Sequence, residues 1–138
     1  MDQIKVLLVD DEERFLKTTA KLLQKKGFAV QTAGNGLEAL DILKQESIHV
    51  TLLDVKMPIM DGLETLKIAK QRHPLVEMIM LTGHATVEAA MDGLKSGAFD
   101  YIMKPADIDE LVLKIKDAHA KHLLQTQKRN ELEKAKRD

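Results

Sequence analysis

Ile4-Lys5-Val6-Leu7-Leu8-Val9-Asp10-Asp11 and His49-Val50-Thr51-Leu52-Leu53-Asp54 are the stretches that decide the fold. Each is a short apolar run rich in β-branched residues that stops abruptly on aspartate. Runs this short and this continuously apolar suit strands buried on both faces of a sheet. Outward from them, short apolar runs alternate with longer amphipathic ones. Glu12 to Lys26 carries Phe15, Leu16, Leu22 and Leu23 at helical spacing, and Gly27 ends it. Phe28 to Ala33 is a second strand, Gly34-Asn35-Gly36 a turn, and Leu37 to Gln45 a helix. After the third strand, a loop with Pro58 and Asp61-Gly62 leads to a helix from Leu63 to His73. Val76 to Leu81, Thr86 to Ser96 and Phe99 to Met103 read as strand, helix and strand, and Asp107 opens a last helix.

Five strand–helix units in succession imply a parallel sheet covered by helices on both faces. With right-handed crossovers, the economical topology is a doubly wound five-stranded sheet of order 2-1-3-4-5. The 138 residues fit one such α/β domain. The absence of Cys excludes disulfide scaffolds and thiolate metal sites, and a net charge of −1 argues against a dedicated nucleic-acid binder. No run approaches a membrane span, and the first residues lack a signal-peptide pattern, so a soluble cytoplasmic protein is expected.

In this strand order the first and third strands are neighbours at the switch point, where ligands bind outside the carboxyl ends. Asp10, Asp11 and Asp54 therefore crowd one sheet edge. Like charges so close call for a compensating cation, and a hard divalent ion such as Mg2+ or Mn2+ suits oxygen ligands. Capping of the first helix would account for only one of the aspartates. The fourth strand ends at Leu81-Thr82-Gly83 and the fifth at Met103-Lys104-Pro105. A hydroxyl and an ammonium thus join the carboxylates. The set suits a phosphoryl group on Asp54, with the metal, Lys104 and Thr82 each taking one phosphoryl oxygen.

Asp10-Asp11, Asp54 with Met57-Pro58 and Asp61-Gly62, Thr82-Gly83 and Lys104-Pro105 resemble, in order and spacing, the receiver domain of two-component response regulators (the CheY-like superfamily). The resemblance covers residues 1 to about 122. It implies that Asp54 accepts a phosphoryl group from a sensor histidine kinase or phosphotransfer protein. It also implies that Asp11, Asp54 and the main-chain carbonyl of Lys56 hold Mg2+, with Asp10 supporting or acting through water. Thr82 and Tyr101 match the family's switch pair, and Lys104-Pro105 is expected to be cis. The fourth helix, fifth strand and fifth helix would form the switched surface, which pairs with a second copy or an output partner. Such a domain is a signalling switch with no metabolic substrate. The sequence is most like receivers of transcriptional regulators. Neither Lys56 nor His84 offers a carboxamide or carboxylate to orient water, which predicts slow loss of the phosphoryl group.

Weaker signals have simpler explanations. Gly34-Asn35-Gly36 fits a dinucleotide fingerprint but follows the second strand instead of the first, so a turn and helix start are expected there. Phosphatases of the haloacid-dehalogenase type also use an aspartyl phosphate, but they place a second Asp where this chain has Lys56. His119 and His122 share a helix face and read as solvated or partly packed, and the internal methionines as core filler. Residues 123–138 are charged, strong helix formers, and read as a helical extension or linker with no direct nucleic-acid binding.

Overall fold

The pleat sorts each strand's side chains onto two faces, and both faces are apolar. In the computed structural model, which describes residues 3–83 and 87–137, the elements run β1 (Lys5–Val9), α1 (Glu13–Lys25), β2 (Ala29–Ala33), α2 (Gly36–Gln45), β3 (Val50–Leu53), α3 (Gly62–Arg72), β4 (Glu77–Thr82), α4 (Val87–Lys95), β5 (Asp100–Met103) and α5 (Ile108–Arg137). All strands are parallel, in the order β2-β1-β3-β4-β5 expected from the sequence. Among the described residues the boundaries fall within one residue of those read from periodicity, the usual margin for fraying ends.

Leu7, Val9, Leu53, Met78 and Met80 face one core cluster with Leu40, Leu43, Leu66 and Ala69 from α2 and α3. Val6, Leu8, Val50, Leu52, Ile79, Leu81 and Ile102 face the other, with Leu16 and Leu23 of α1 and Leu111, Ile115 and Ala118 of α5. Each fully buried Val, Leu, Ile or Met side chain among them contributes roughly 1.5–3 kcal/mol. The reading of the methionines as core filler holds for Met57, Met78 and Met80; Met91 and Met103, for which an adaptable binding face is the other sequence reading, are 50% and 59% exposed on α4 and β5.

Register sets which strand ends meet. Val9 pairs with Leu53, and the amide of Asp54 donates to the Val9 carbonyl at 3.0 Å, so Asp10 and Asp54 leave the sheet side by side. Thr82 pairs with Met103, and the Lys104 amide donates to the Thr82 carbonyl at 2.9 Å. Gly62 then brings α3 against the end of β3. A Cβ there would lie 1.9 Å from the Asp54 carbonyl oxygen and 2.7 Å from the Val55 Cα. The Gly62 amide donates to the Val55 carbonyl at 2.6 Å. The loop between them holds Ile59 at φ 74°, an uncommon conformation for a β-branched residue.

The opposite end of the sheet is closed by α5. Glu77, fully buried at the start of β4, has Lys121 of α5 at 3.4 Å and Lys70 of α3 at 3.8 Å. Burial holds the Lys70 ammonium below its ordinary pKa, while its hydrogen bonds to the carbonyls of Pro74 (2.9 Å) and Val76 (3.1 Å) fix it in place. The rings of His119 and His122 stand 5.0 and 5.2 Å from that of His49. The Lys5 amide donates to His49 Nδ1 at 2.9 Å, and His122 Nδ1 lies 2.5 Å from the Leu75 carbonyl oxygen. The two α5 histidines are thus partly packed, as expected, and His49 joins them. The helix continues unbroken past residue 122 to Arg137. Despite its length, no described helix is long and apolar enough to cross a membrane.

Two outcomes follow from these contacts. Gly62→Ala has no room for its methyl against main chain, so equilibrium denaturation should show a loss in the upper range for point mutants, about 4 kcal/mol or more. Burial, with the charge of His122, holds the His119 pKa below its ordinary value. The folded state therefore resists its protonation, and stability should be level above about pH 6.5 and decline as pH falls through that value. Thermal melts of His119→Gln should show a smaller drop between pH 7.5 and 5.5 than those of the unaltered chain. An equal drop would remove His119 as the cause.

Candidate phospho-acceptor site

Three carboxylates meet at the carboxyl ends of β1 and β3. One oxygen from each of Asp10, Asp11 and Asp54 lies within 4.8 Å of the other two. Asp10 and Asp54 are buried and Asp11 is exposed, so the group opens to solvent on one side only. Asp10 also accepts the Glu12 amide at 2.9 Å, but Glu12 is itself the N-cap of α1 and no side chain caps that helix, so capping accounts for none of the three aspartates.

Asp54 is the most constrained of the three. Its Oδ1 accepts the Val55 amide at 2.8 Å, and the Thr82 hydroxyl hydrogen-bonds to its carboxylate. Its Oδ2 is 3.9 Å from Lys104 Nζ. Burial pushes the Asp54 pKa up, against the Thr82 hydrogen bond. The Asp10 charge raises it further, while Lys104 and the Val55 amide pull it down. The net result is a buried carboxylate held above the ordinary range. Lys104 makes its close ion pair with Asp10, and its side chain is 18% exposed. The Lys104-Pro105 bond is cis, as the resemblance implied.

Tyr101 is half-buried on β5, and its hydroxyl is buried with no hydrogen-bond partner among the described residues. Burial, and then the charge of Asp54, raises its pKa, which places the phenol within electrostatic reach of the acid group. Lys56 lies in the loop after β3 with its side chain exposed. His84 lies outside the described residues.

The structure therefore gathers Asp10, Asp11, Asp54, Thr82 and Lys104, with Tyr101 behind them. The Gly34-Asn35-Gly36 turn serves helix capping: Asn35 accepts the Glu38 amide at 3.0 Å, and Glu38 accepts the Gly34 amide at 2.6 Å. Gly36 is further required because a Cβ would lie 2.2 Å from Thr65 Oγ1. Sequence reasoning missed Phe15, whose ring centroid lies 3.9 Å from Lys104 Nζ. An aromatic residue in the first turn of the helix that follows Asp11 was the available signal.

Since Lys104 lowers the Asp54 pKa, Lys104→Ala should raise it further. Carboxyl carbon NMR titration reads the shift, and an unchanged Asp54 midpoint would contradict the electrostatic role of the ammonium.

Residues 6–116 match the response regulator receiver domain family. An NtrX-like response regulator of Rickettsia bellii is 41% identical over 120 residues, 86% of this chain and 25% of that protein. The DNA-binding transcriptional regulator NtrC of Escherichia coli is 40% identical over 125 residues, 91% of this chain and 27% of that protein. The chain thus spans about a quarter of the length of these relatives. A CheY-like receiver domain protein from Methanospirillum hungatei superposes with a TM-score of 0.86 at 33% identity, over 90% of this chain and 99% of that one. With its strand order, its acidic edge and this match, the chain belongs to the response regulator receiver domain family.

Proposed function

We propose that this domain accepts a phosphoryl group on Asp54 from a sensor histidine kinase or phosphotransfer protein, in a two-component phosphorelay. The observation that carries the proposal is the buried Asp54 carboxylate beside Asp10 and Asp11, with Thr82 on it and Lys104 3.9 Å away. An Asp54 oxygen attacks phosphorus as the P–N bond of the phosphohistidine breaks, and the imidazole leaves with the electron pair.

Three hard carboxylates facing one another fit a divalent cation. Asp11, Asp54 and the main-chain carbonyl of Lys56 would hold Mg2+ or Mn2+, with Asp10 supporting or acting through water. When bound, the ion neutralises charge on the phosphoryl oxygens. Lys104 needs only to loosen from Asp10 to reach another of those oxygens, and the Thr82 hydroxyl is already at Asp54. Thr82 and Tyr101 then report the added charge to the face formed by α4, β5 and α5. The exposure of Met91, Leu94, Met103 and Leu113 supports that face as a docking surface for a second copy or an output domain.

Residues 1–122 form the receiver and 123–138 the helical extension toward an output domain of the kind the longer relatives carry. The domain acts in the cytoplasm as a switch without a metabolic substrate. It promotes only its own phosphorylation and dephosphorylation, and the loss is slow because Lys56 and His84 do not orient water. The phosphatase reading has no second Asp at Lys56 to support it. The nucleotide reading loses its glycine motif to capping.

Incubation with Mg2+ and a small acyl phosphate, followed by intact-mass spectrometry, tests the proposal. One added phosphoryl group on the unaltered chain and none on Asp54→Asn is the expected result. An unmodified chain, or equal modification of the variant, would overturn it.

A further inference from the structure

Lys104 is held from two sides. On one side are Asp10, in direct ion pair, and Asp54 at 3.9 Å. On the other is the face of Phe15, its centroid 3.9 Å from the ammonium. Phe15 sits in the first turn of α1, half-buried, four residues after Asp11.

The two kinds of contact differ in what competes with them. Any cation entering the acidic group competes with Lys104 for Asp10, and any phosphoryl group competes with Asp10 for Lys104. The ring competes with neither, because a π-face neither binds a hard metal ion nor repels the ammonium. A Lys side chain is a flexible four-carbon stem with a freely rotating charge, and it needs an external constraint to keep one direction. The ring supplies that constraint and keeps water from one side of the ammonium. Behind the pair lies a small cavity of about 60 Å³ lined by Phe15, Thr19, Leu22, Leu81, Lys104 and Leu111, among others.

We propose that Phe15 is a positioning residue: its ring holds the Lys104 ammonium aimed at the acid group while Asp10 exchanges its partner. The kinetic part of this rests on Asp54 being the acceptor. The contact itself does not.

Two measurements test it separately. The first is the NMR shift of the Lys104 ε-methylene protons, which a ring at this distance moves upfield. The shift should persist in Phe15→Tyr, and vanish in Phe15→Leu while the Leu variant still melts cooperatively. A Lys104 signal at its random-coil position in the unaltered chain would overturn the contact. The second is the rate of Asp54 phosphorylation by a small acyl phosphate. Phe15→Leu should slow it about three- to tenfold, as expected for losing a partly desolvated cation–π contact, and Phe15→Tyr should restore it. In a Lys104→Ala background, Phe15→Leu should cost nothing further. A Tyr variant as slow as Leu, or the same loss without Lys104, would reduce Phe15 to packing. An unphosphorylated unaltered chain would strike the acceptor assignment instead, together with the kinetic role built on it, leaving the ring contact to be decided by the NMR shift.

Discussion

The structure turns on the mutual repulsion of three carboxylates at one sheet edge. Asp10 and Asp54 are buried with oxygens less than 4.8 Å apart. Two charges at that distance repel by roughly 3–4 kcal/mol at an effective dielectric constant of about 20. The fold tolerates this because the cost is partly offset on every side: by the amides of Glu12 and Val55, the Thr82 hydroxyl and the Lys104 ammonium. The offset is incomplete: the Asp54 pKa stays raised, first by burial and then by the Asp10 charge. A buried acidic group short of positive charge fits a divalent cation, and on that fit the proposed phospho-acceptor role rests.

The rest of the molecule keeps that unfinished site in register. Pairing of Val9 with Leu53 and of Thr82 with Met103 delivers the functional residues to one edge. Gly62 lets α3 close on the Asp54 carbonyl without displacing it. At the other edge, the Glu77–Lys121 pair and the histidines of α5 fasten the long final helix to the sheet. The helix is therefore gripped at the end of the sheet remote from the acidic group.

Much of this was legible in the sequence because it depends on local pattern. Continuous apolar runs ending in Asp10 and Asp54 marked parallel strands and, through the crossover rules, the acidic edge. Thr82 and Lys104 followed from their places at strand ends. What stayed hidden depends on distant side chains finding each other. Glu77 looks like a solvent-facing strand residue until Lys70 and Lys121 arrive from α3 and α5. His49 has no visible tie to His119 and His122. Phe15 reads as one more apolar helix position, because its partner lies at the end of the last strand. Met91 and Met103 stayed open between core and binding face because composition does not distinguish a core methionine from one on an exposed face.

The central claim is that the acidic group is a cation site whose charge deficit Lys104 only partly fills. Calorimetric titration with Mg2+ addresses it directly. The account predicts one ion per chain, binding abolished or strongly weakened by Asp11→Asn and by Asp54→Asn, and tighter binding in Lys104→Ala, where the ammonium no longer competes for Asp10. No binding to the unaltered chain, or equal binding by the two aspartate variants, would contradict it.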